Sequence, residues 1–210
     1  MHKLPRPRWL FAPAATTAGA VALLVFAAVL DDRPAHAELR YKTTYRENPV
    51  RGTTPRQLWQ YMRRHPIIDK DDGPALANIS HDHALTVKTT RSNGVCSVSK
   101  VDFSWHFVIA LPRAVDEADM SPAVRSMWRE FTGYLKRHEE QHRSIFIGCG
   151  ERFLSRAAAL TSRGPCFALK SKVNRFIDDE YRVCMSKQRA FDRNERPSLS
   201  RLRLSQASRK

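Results

Sequence analysis

The sequence predicts an α+β fold in which a small antiparallel sheet packs on a long helical hairpin. Short segments of alternating hydrophobicity, separated by turn residues, occupy the chain up to Pro112. Beyond Ser121, apolar residues recur at spacings of three and four, which is the pattern of a long amphipathic helix. Gly164-Pro165 then interrupts this pattern before a second helical segment begins. Strands followed by two long helices are typical of an α+β domain.

The predicted strands cover residues 41–45, 84–90, 95–100 and 103–111, with Pro112 ending the last of them. Asn93-Gly94 between the second and third strands predicts a type I′ hairpin turn. A short helix is expected from Thr54-Pro55 to about Arg64, and residues 66–74 are expected to form a loop.

The first long helix should begin at Ser121-Pro122 and run to about Ser162. The second should begin near Phe167 and end near Phe191. Residues 38–195 would then form one domain. Residues 196–210 alternate Ser with basic side chains and are expected to be a mobile basic tail with a short helix at most.

Residues 1–37 resemble a signal peptide. Lys3, Arg6 and Arg8 precede an apolar run at residues 19–30, and Ala35-His36-Ala37 offers a cleavage site. An uncleaved membrane anchor is the alternative, because residues 9–30 are long enough to span a bilayer. No later segment of the sequence could span a membrane, so the domain is predicted to be periplasmic or secreted.

The chain of 210 residues carries a formal net charge of +15, which favours attraction to anionic polymers of the cell envelope. No nucleic-acid-binding motif accompanies this charge, and the aromatic residues are not interleaved with the basic runs. Specific nucleic-acid binding is therefore not expected.

The most informative motif is His138-Glu139-Glu140-Gln141-His142, an instance of H-E-x-x-H. On a helix, positions i and i+4 share one face, so both imidazoles could bind one Zn²⁺. Glu139 would then act as the general base on a zinc-activated water, which is the chemistry that hydrolyses peptide bonds. A solvated, charged helix face with two idle histidines is the alternative.

The phase of the apolar stripe distinguishes these alternatives. The stripe has one gap, between Leu135 and Ile145, and His138 and His142 fill it. The imidazoles are therefore expected to point into the fold, where their ring nitrogens need partners. A metal ion and a hydrogen-bonded core pair of histidines both supply them, and two histidines flanking Glu139 favour the metal.

Four cysteines and no C-x-x-C motif predict two disulfides. Cys166 and Cys184 lie on one predicted helix about 27 Å apart, which is too far for a bond. Cys149 and Cys166 are similarly separated if the first long helix persists, so the remaining pairing is Cys149–Cys184 with Cys96–Cys166. If Cys149 faces Cys184, then Asp192 lies level with the two histidines and becomes the first choice as third ligand. Glu195, beside that level, and Glu180, which a shifted register would bring there, remain alternatives.

The order of several short motifs resembles a bacterial family of unknown function described as predicted secreted zinc-dependent proteases. The resemblance covers roughly Tyr41 to Glu195 and rests on these residues: Gly52, Thr54, Leu58, Gly94, Cys96, Leu111, Pro112, Trp128, Phe131 and the H-E-x-x-H. It implies a zincin-like domain in which His138 and His142 bind zinc and Glu139 is the base. An aromatic-Asp pair of the family corresponds to Phe191-Asp192. The His-Gly that often follows it is replaced here by Arg196-Pro197.

The sequence thus predicts an exported zinc metallopeptidase acting on a peptide or protein substrate. The alternative is a cell-envelope module that binds or supports other components and keeps the H-E-x-x-H helix without turnover.

Overall fold

The computed structural model describes residues 35–69 and 73–209, so residues 1–34 of the predicted signal peptide lie outside the described part. The strands are β1 (His36–Val50), β2 (Ile67–Asp69), β3 (Gly73–Ala75), β4 (Asn78–Ser92), β5 (Val95–Ala114) and β6 (Thr161–Ser162). The helices are α1 (Pro55–Arg64), α2 (Pro122–Ala158), α3 (Cys166–Arg201) and α4 (Arg203–Ala207), with a 3₁₀ turn at Glu117–Asp119. The predicted α+β class is confirmed.

The main sheet is mixed, which corrects the expectation of an antiparallel sheet. β5 lies at its centre, with β4 and β6 antiparallel to it and β1 parallel to it. A parallel pair needs a long connection between its strands, and α1 with β2, β3 and β4 supplies that connection. β2 and β3 form a separate two-stranded sheet within the predicted loop.

β5 is one strand of 20 residues where the sequence predicts two, and Pro112 does not end it. The pairing of β5 with β4 reaches only to Ala110, whereas the pairing with β1 continues to Ala114. Pro112 therefore borders a single strand, opposite Asn48, where a missing N–H is tolerated. The predicted I′ turn that joins β4 to β5 is present, with φ of 49° at Asn93 and 76° at Gly94.

The predicted starts of α1 and α2 are confirmed. At α1, Thr54 and Gln57 form a capping box, and at α2 the Ser121 hydroxyl accepts from the Val124 N–H at 3.3 Å. The stripe of α2 packs on the inner face of β5, where alternate side chains are buried. This core includes Phe103, Trp105 and Phe107 from the strand and Phe146 and Phe153 from the helix. Each such side chain contributes about 2 kcal/mol on burial.

The C-terminal segment differs from the predicted mobile tail. α3 continues through Pro197 to Arg201, and α4 places Leu204 in a second core with Leu58 and Phe131, where all three are fully buried. Leu199 and Leu202 pack against the same core. These three leucines hold the otherwise polar segment on the apolar surface formed by α1 and α2. Among the helices of the described region, none is long and apolar enough to cross a membrane.

Candidate metal centre

His138 and His142 lie one turn apart on the face of α2 that meets α3. Their Nε2 atoms are 3.1 Å apart, and their side chains are only 18% and 10% exposed. The imidazoles therefore point into the fold at the gap in the apolar stripe, as helix phase predicts.

Asp192 of α3 completes the group from the opposite helix. Its Oδ1 lies 3.2 Å from His138 Nε2 and 2.8 Å from His142 Nε2. α2 and α3 run antiparallel and are joined by the Cys149–Cys184 disulfide, two turns beyond His142. Both predicted disulfides, this one and Cys96–Cys166, are present. The register that the disulfide imposes thus brings residue 192 level with the two histidines.

Gln188 determines which nitrogen of His142 faces Asp192. The Gln188 amide nitrogen donates to the His142 carbonyl at 3.1 Å, so its Oε1 must be the atom 2.6 Å from His142 Nδ1. Nδ1 then carries the proton and donates it to this oxygen, which leaves the lone pair of a neutral His142 on Nε2. In metal sites, a hydrogen bond made by the ring nitrogen that does not bind the metal commonly orients the histidine.

The three facing atoms need a proton or a metal ion between them. A neutral His142 presents a lone pair on Nε2 to the carboxylate oxygen of Asp192 at 2.8 Å, and two electron-rich atoms at that distance repel. A proton or a metal ion resolves this. In a tetrahedral site with bonds of about 2.1 Å, donor atoms lie about 3.4 Å apart, close to the spacing found here. The group His138, His142 and Asp192 could therefore hold a metal ion.

Aromatic rings enclose His138 and favour its neutral form. Phe191 stacks on this imidazole with ring centroids 4.8 Å apart, and Tyr134 lies on it at 6.1 Å. Burial lowers the pKa of His138, as does the nearby His142, whereas the Asp192 carboxylate opposes the shift. A neutral imidazole is the form that binds metal ions.

Glu139 lies beside this group and is only 5% exposed. Burial raises the pKa of Glu139 to about 8, with further contributions from the charges of Asp192 and Asp69. Asp69 belongs to β2, which lies in the segment predicted to be a loop. A carboxyl group with a pKa near neutrality can both accept and donate a proton, so Glu139 can serve as a general acid or base.

The two alternative third ligands are engaged elsewhere. Glu195 accepts a hydrogen bond from the Tyr134 hydroxyl at 3.0 Å, and burial together with this carboxylate raises the pKa of Tyr134 to about 12. Glu180 pairs with Arg156, far along α2 from the histidines. The structure therefore brings Asp192 to the histidines and leaves Glu180 and Glu195 outside the group of three.

Gln188 was not among the residues that the sequence singled out. It is one helical turn before Asp192 and so shares its face of α3, which is a signal that the sequence carries. That signal becomes informative only once Asp192 is known to meet the histidines.

β1 fastens the motif helix to the sheet next to the site. The Tyr45 hydroxyl donates to Glu140 Oε1 at 2.7 Å, and Arg143 donates to the Thr43 hydroxyl at 3.3 Å. These contacts use the side of α2 that faces away from Asp192, so they position the helix without occupying the metal-binding atoms.

The fold and the site define an α+β protein with a partly buried His-His-Asp group suited to a metal ion. Residues 45–198 match the family described as bacterial protein of unknown function (DUF922), and the chain belongs to this family. Comparisons with curated proteins and with solved structures gave no match.

Proposed function

We propose that this protein is an exported, zinc-dependent metallopeptidase. His138, His142 and Asp192 would hold the zinc ion, and Glu139 would carry the proton. One observation supports the proposal most directly. The two histidine Nε2 atoms and Asp192 Oδ1 lie within 3.2 Å of one another, beside the buried carboxyl group of Glu139. Two histidines and one carboxylate are a donor set of catalytic zinc sites, because three protein ligands leave one position open.

Each residue has a distinct role in the proposed reaction. When bound, zinc supplies Lewis acidity that polarises a substrate carbonyl and makes a water molecule more acidic. Glu139 accepts the proton of the attacking water and returns it to the amine that leaves. Gln188 keeps the His142 lone pair directed at the site throughout, and Phe191 and Tyr134 shield His138 from bulk water.

Export of the domain is supported by its two disulfides. Such bonds form and persist in the periplasm and outside the cell. A peptide or protein substrate follows from the proposed chemistry, and the basic surface would hold the enzyme near anionic envelope polymers.

The test compares wild-type protein with Glu139→Gln after reconstitution with zinc. Both should bind one zinc ion with similar affinity, whereas only wild type should hydrolyse an unfolded protein such as reduced casein. His138→Ala should lose both properties. A wild-type protein that binds zinc and cleaves no peptide would favour the non-catalytic envelope module, and one that binds no zinc would overturn the proposal.

A further inference from the structure

One end of the domain carries basic residues and no acidic ones. The β4–β5 hairpin and the turn between α2 and α3 meet there, because β6 in that turn pairs with the start of β5. Residues 86–99 and 160–175 form this basic end, and neither segment contains Asp or Glu. Their basic side chains are all exposed: Lys88, Arg91, Arg163, Lys170, Lys172 and Arg175. The net positive charge of the chain is therefore concentrated at this end.

A disulfide and two hydrogen bonds hold the two segments of the basic end together. The Cys96–Cys166 disulfide joins the start of β5 to the first turn of α3. Arg91 donates hydrogen bonds to the carbonyl oxygens of Gly94 and Gly164, which link the hairpin to the α2–α3 turn. Both partners are neutral, so the positive charge of Arg91 is not compensated by them. The basic end is therefore a surface of fixed shape.

Phe167 projects from the basic end into solvent. It is 74% exposed, which is the largest exposed fraction among the large hydrophobic residues of the described region. Pro165 and Ala168 beside it are also exposed. Helical side chains lean toward the N-terminus of their helix, and Phe167 lies in the first turn of α3, so its ring leans toward the end of the domain. An exposed apolar ring with basic neighbours suits the boundary between lipid headgroups and acyl chains.

The chain also enters the domain at this end. In the parallel pair of β1 and β5, His36 lies opposite Lys100, and in the β4–β5 pair Lys100 lies opposite Lys88. β1 therefore starts level with a basic residue of the hairpin. The predicted export segment joins the domain at this point, so contact of the basic end with a bilayer is compatible with either cleavage or retention of that segment.

We propose that the basic end docks the domain on an anionic lipid bilayer. The ring of Phe167 enters the membrane interface, while Arg163, Lys170 and the other basic side chains contact the phosphate groups of the lipids. The exposed ring favours a bilayer over a soluble polyanion, which has no apolar layer to receive it. His142 lies about 24 Å along α2 from this end, so the candidate metal centre stays clear of the headgroups. Docking requires neither zinc nor hydrolysis.

Tryptophan introduced at position 167 tests where the ring lies. The Phe167→Trp variant is mixed with phosphatidylglycerol vesicles whose acyl chains carry bromine, which quenches only those indoles that reach the acyl chains. Val183→Trp is the matched control, because Val183 is 51% exposed on the same helix and lies about 24 Å further along it. After subtraction of the wild-type signal, emission from position 167 should be quenched and emission from position 183 should not. Brominated phosphatidylcholine vesicles, which are neutral, should quench neither.

Two further substitutions, each combined with Phe167→Trp, test the role of charge. Lys170→Gln should raise the lipid concentration for half-maximal quenching about fivefold, because one lysine next to the anionic surface is lost. Lys187→Gln is the control, since Lys187 is exposed on α3 far from the basic end, and it should leave this concentration unchanged.

Three outcomes would overturn the proposal. Equal quenching at positions 167 and 183 would show that the basic end is not the docking surface. An unchanged midpoint in Lys170→Gln would remove the role of charge. Binding of soluble polyphosphate, with no quenching at position 167 by anionic vesicles, would assign the basic end to a soluble polyanion instead. Each outcome is independent of the zinc experiments, so a failure here leaves the proposed peptidase unaffected.

Discussion

His142 and Gln188 hold each other through two hydrogen bonds between α2 and α3. His142 Nδ1 donates to Gln188 Oε1 at 2.6 Å, and the Gln188 amide donates to the His142 carbonyl at 3.1 Å. Gln188 is only 4% exposed, so water cannot readily replace it. This contact fixes the tautomer of His142 and therefore the direction of the lone pair at the candidate metal centre.

Gln188→Ala should weaken zinc binding about 10- to 100-fold, because His142 loses the partner that orients it. The measurement is a competition titration with a zinc-binding dye. Arg189→Ala is the control, since the neighbouring side chain is exposed, and it should bind zinc as wild type does. Wild-type affinity in Gln188→Ala would show that the tautomer needs no such support.

Asp192→Ala should abolish or strongly weaken zinc binding, whereas Glu180→Ala should leave it unchanged. Among the carboxylates of the described residues, only Asp192 places an oxygen within 3.2 Å of both imidazoles, and Glu180 pairs with Arg156 instead. Zinc dissociation constants of the two variants decide the point. Loss of zinc in Glu180→Ala with retention in Asp192→Ala would mean that the α2–α3 register differs from the one described.

The free energy of unfolding of the metal-free protein should fall as pH rises from about 4.5 to about 8, because Glu139 ionises less readily in the fold than in the unfolded chain. Its pKa is raised from 4.5 to about 8 in the fold. Below pH 4.5 the carboxyl group is protonated in both the folded and the unfolded state, so its burial is tolerated. Between pH 4.5 and 8 only the unfolded state releases the proton, which costs on the order of 5 kcal/mol by the upper end.

Urea unfolding of chelator-treated wild type and Glu139→Gln at about pH 5 and pH 8 measures this effect. The stability of Glu139→Gln relative to wild type should increase at the higher pH, because the amide that replaces the carboxyl group stays neutral. Titrations of groups that do not interact with Glu139 are common to both proteins and cancel in the comparison. A constant difference between them would mean that Glu139 ionises normally in the fold.

The two disulfides should differ in their effect on metal binding. Replacing either pair with serine should lower the free energy of unfolding by about 3 kcal/mol. Loss of Cys149–Cys184 should also weaken zinc binding about tenfold, because this bond holds α2 and α3 in register next to the site. The Cys96–Cys166 pair joins β5 to the start of α3 and serves as the control. Equal zinc affinities in the two double variants would contradict this role.

Local patterns in the sequence predicted the features that neighbouring residues determine. Ser121 and Pro122 start α2, Asn93-Gly94 forms the hairpin turn, and helix phase turns His138 and His142 inward. Each depends on interactions within a few residues, so the sequence alone was sufficient. The cysteine pairing followed as well, because the two rigid helices separate Cys166 from Cys184 and from Cys149 by known distances.

Features that depend on distant parts of the chain required the tertiary structure. The sequence left Asp192, Glu180 and Glu195 as alternatives, because a shift of a few residues between α2 and α3 exchanges them. It contained no local signal that β1 runs parallel to β5, or that Leu204 anchors the C-terminal segment against α1 and α2. Spatial register and burial arise from long-range packing, whereas a sequence pattern reports only the face that each residue occupies on its own element.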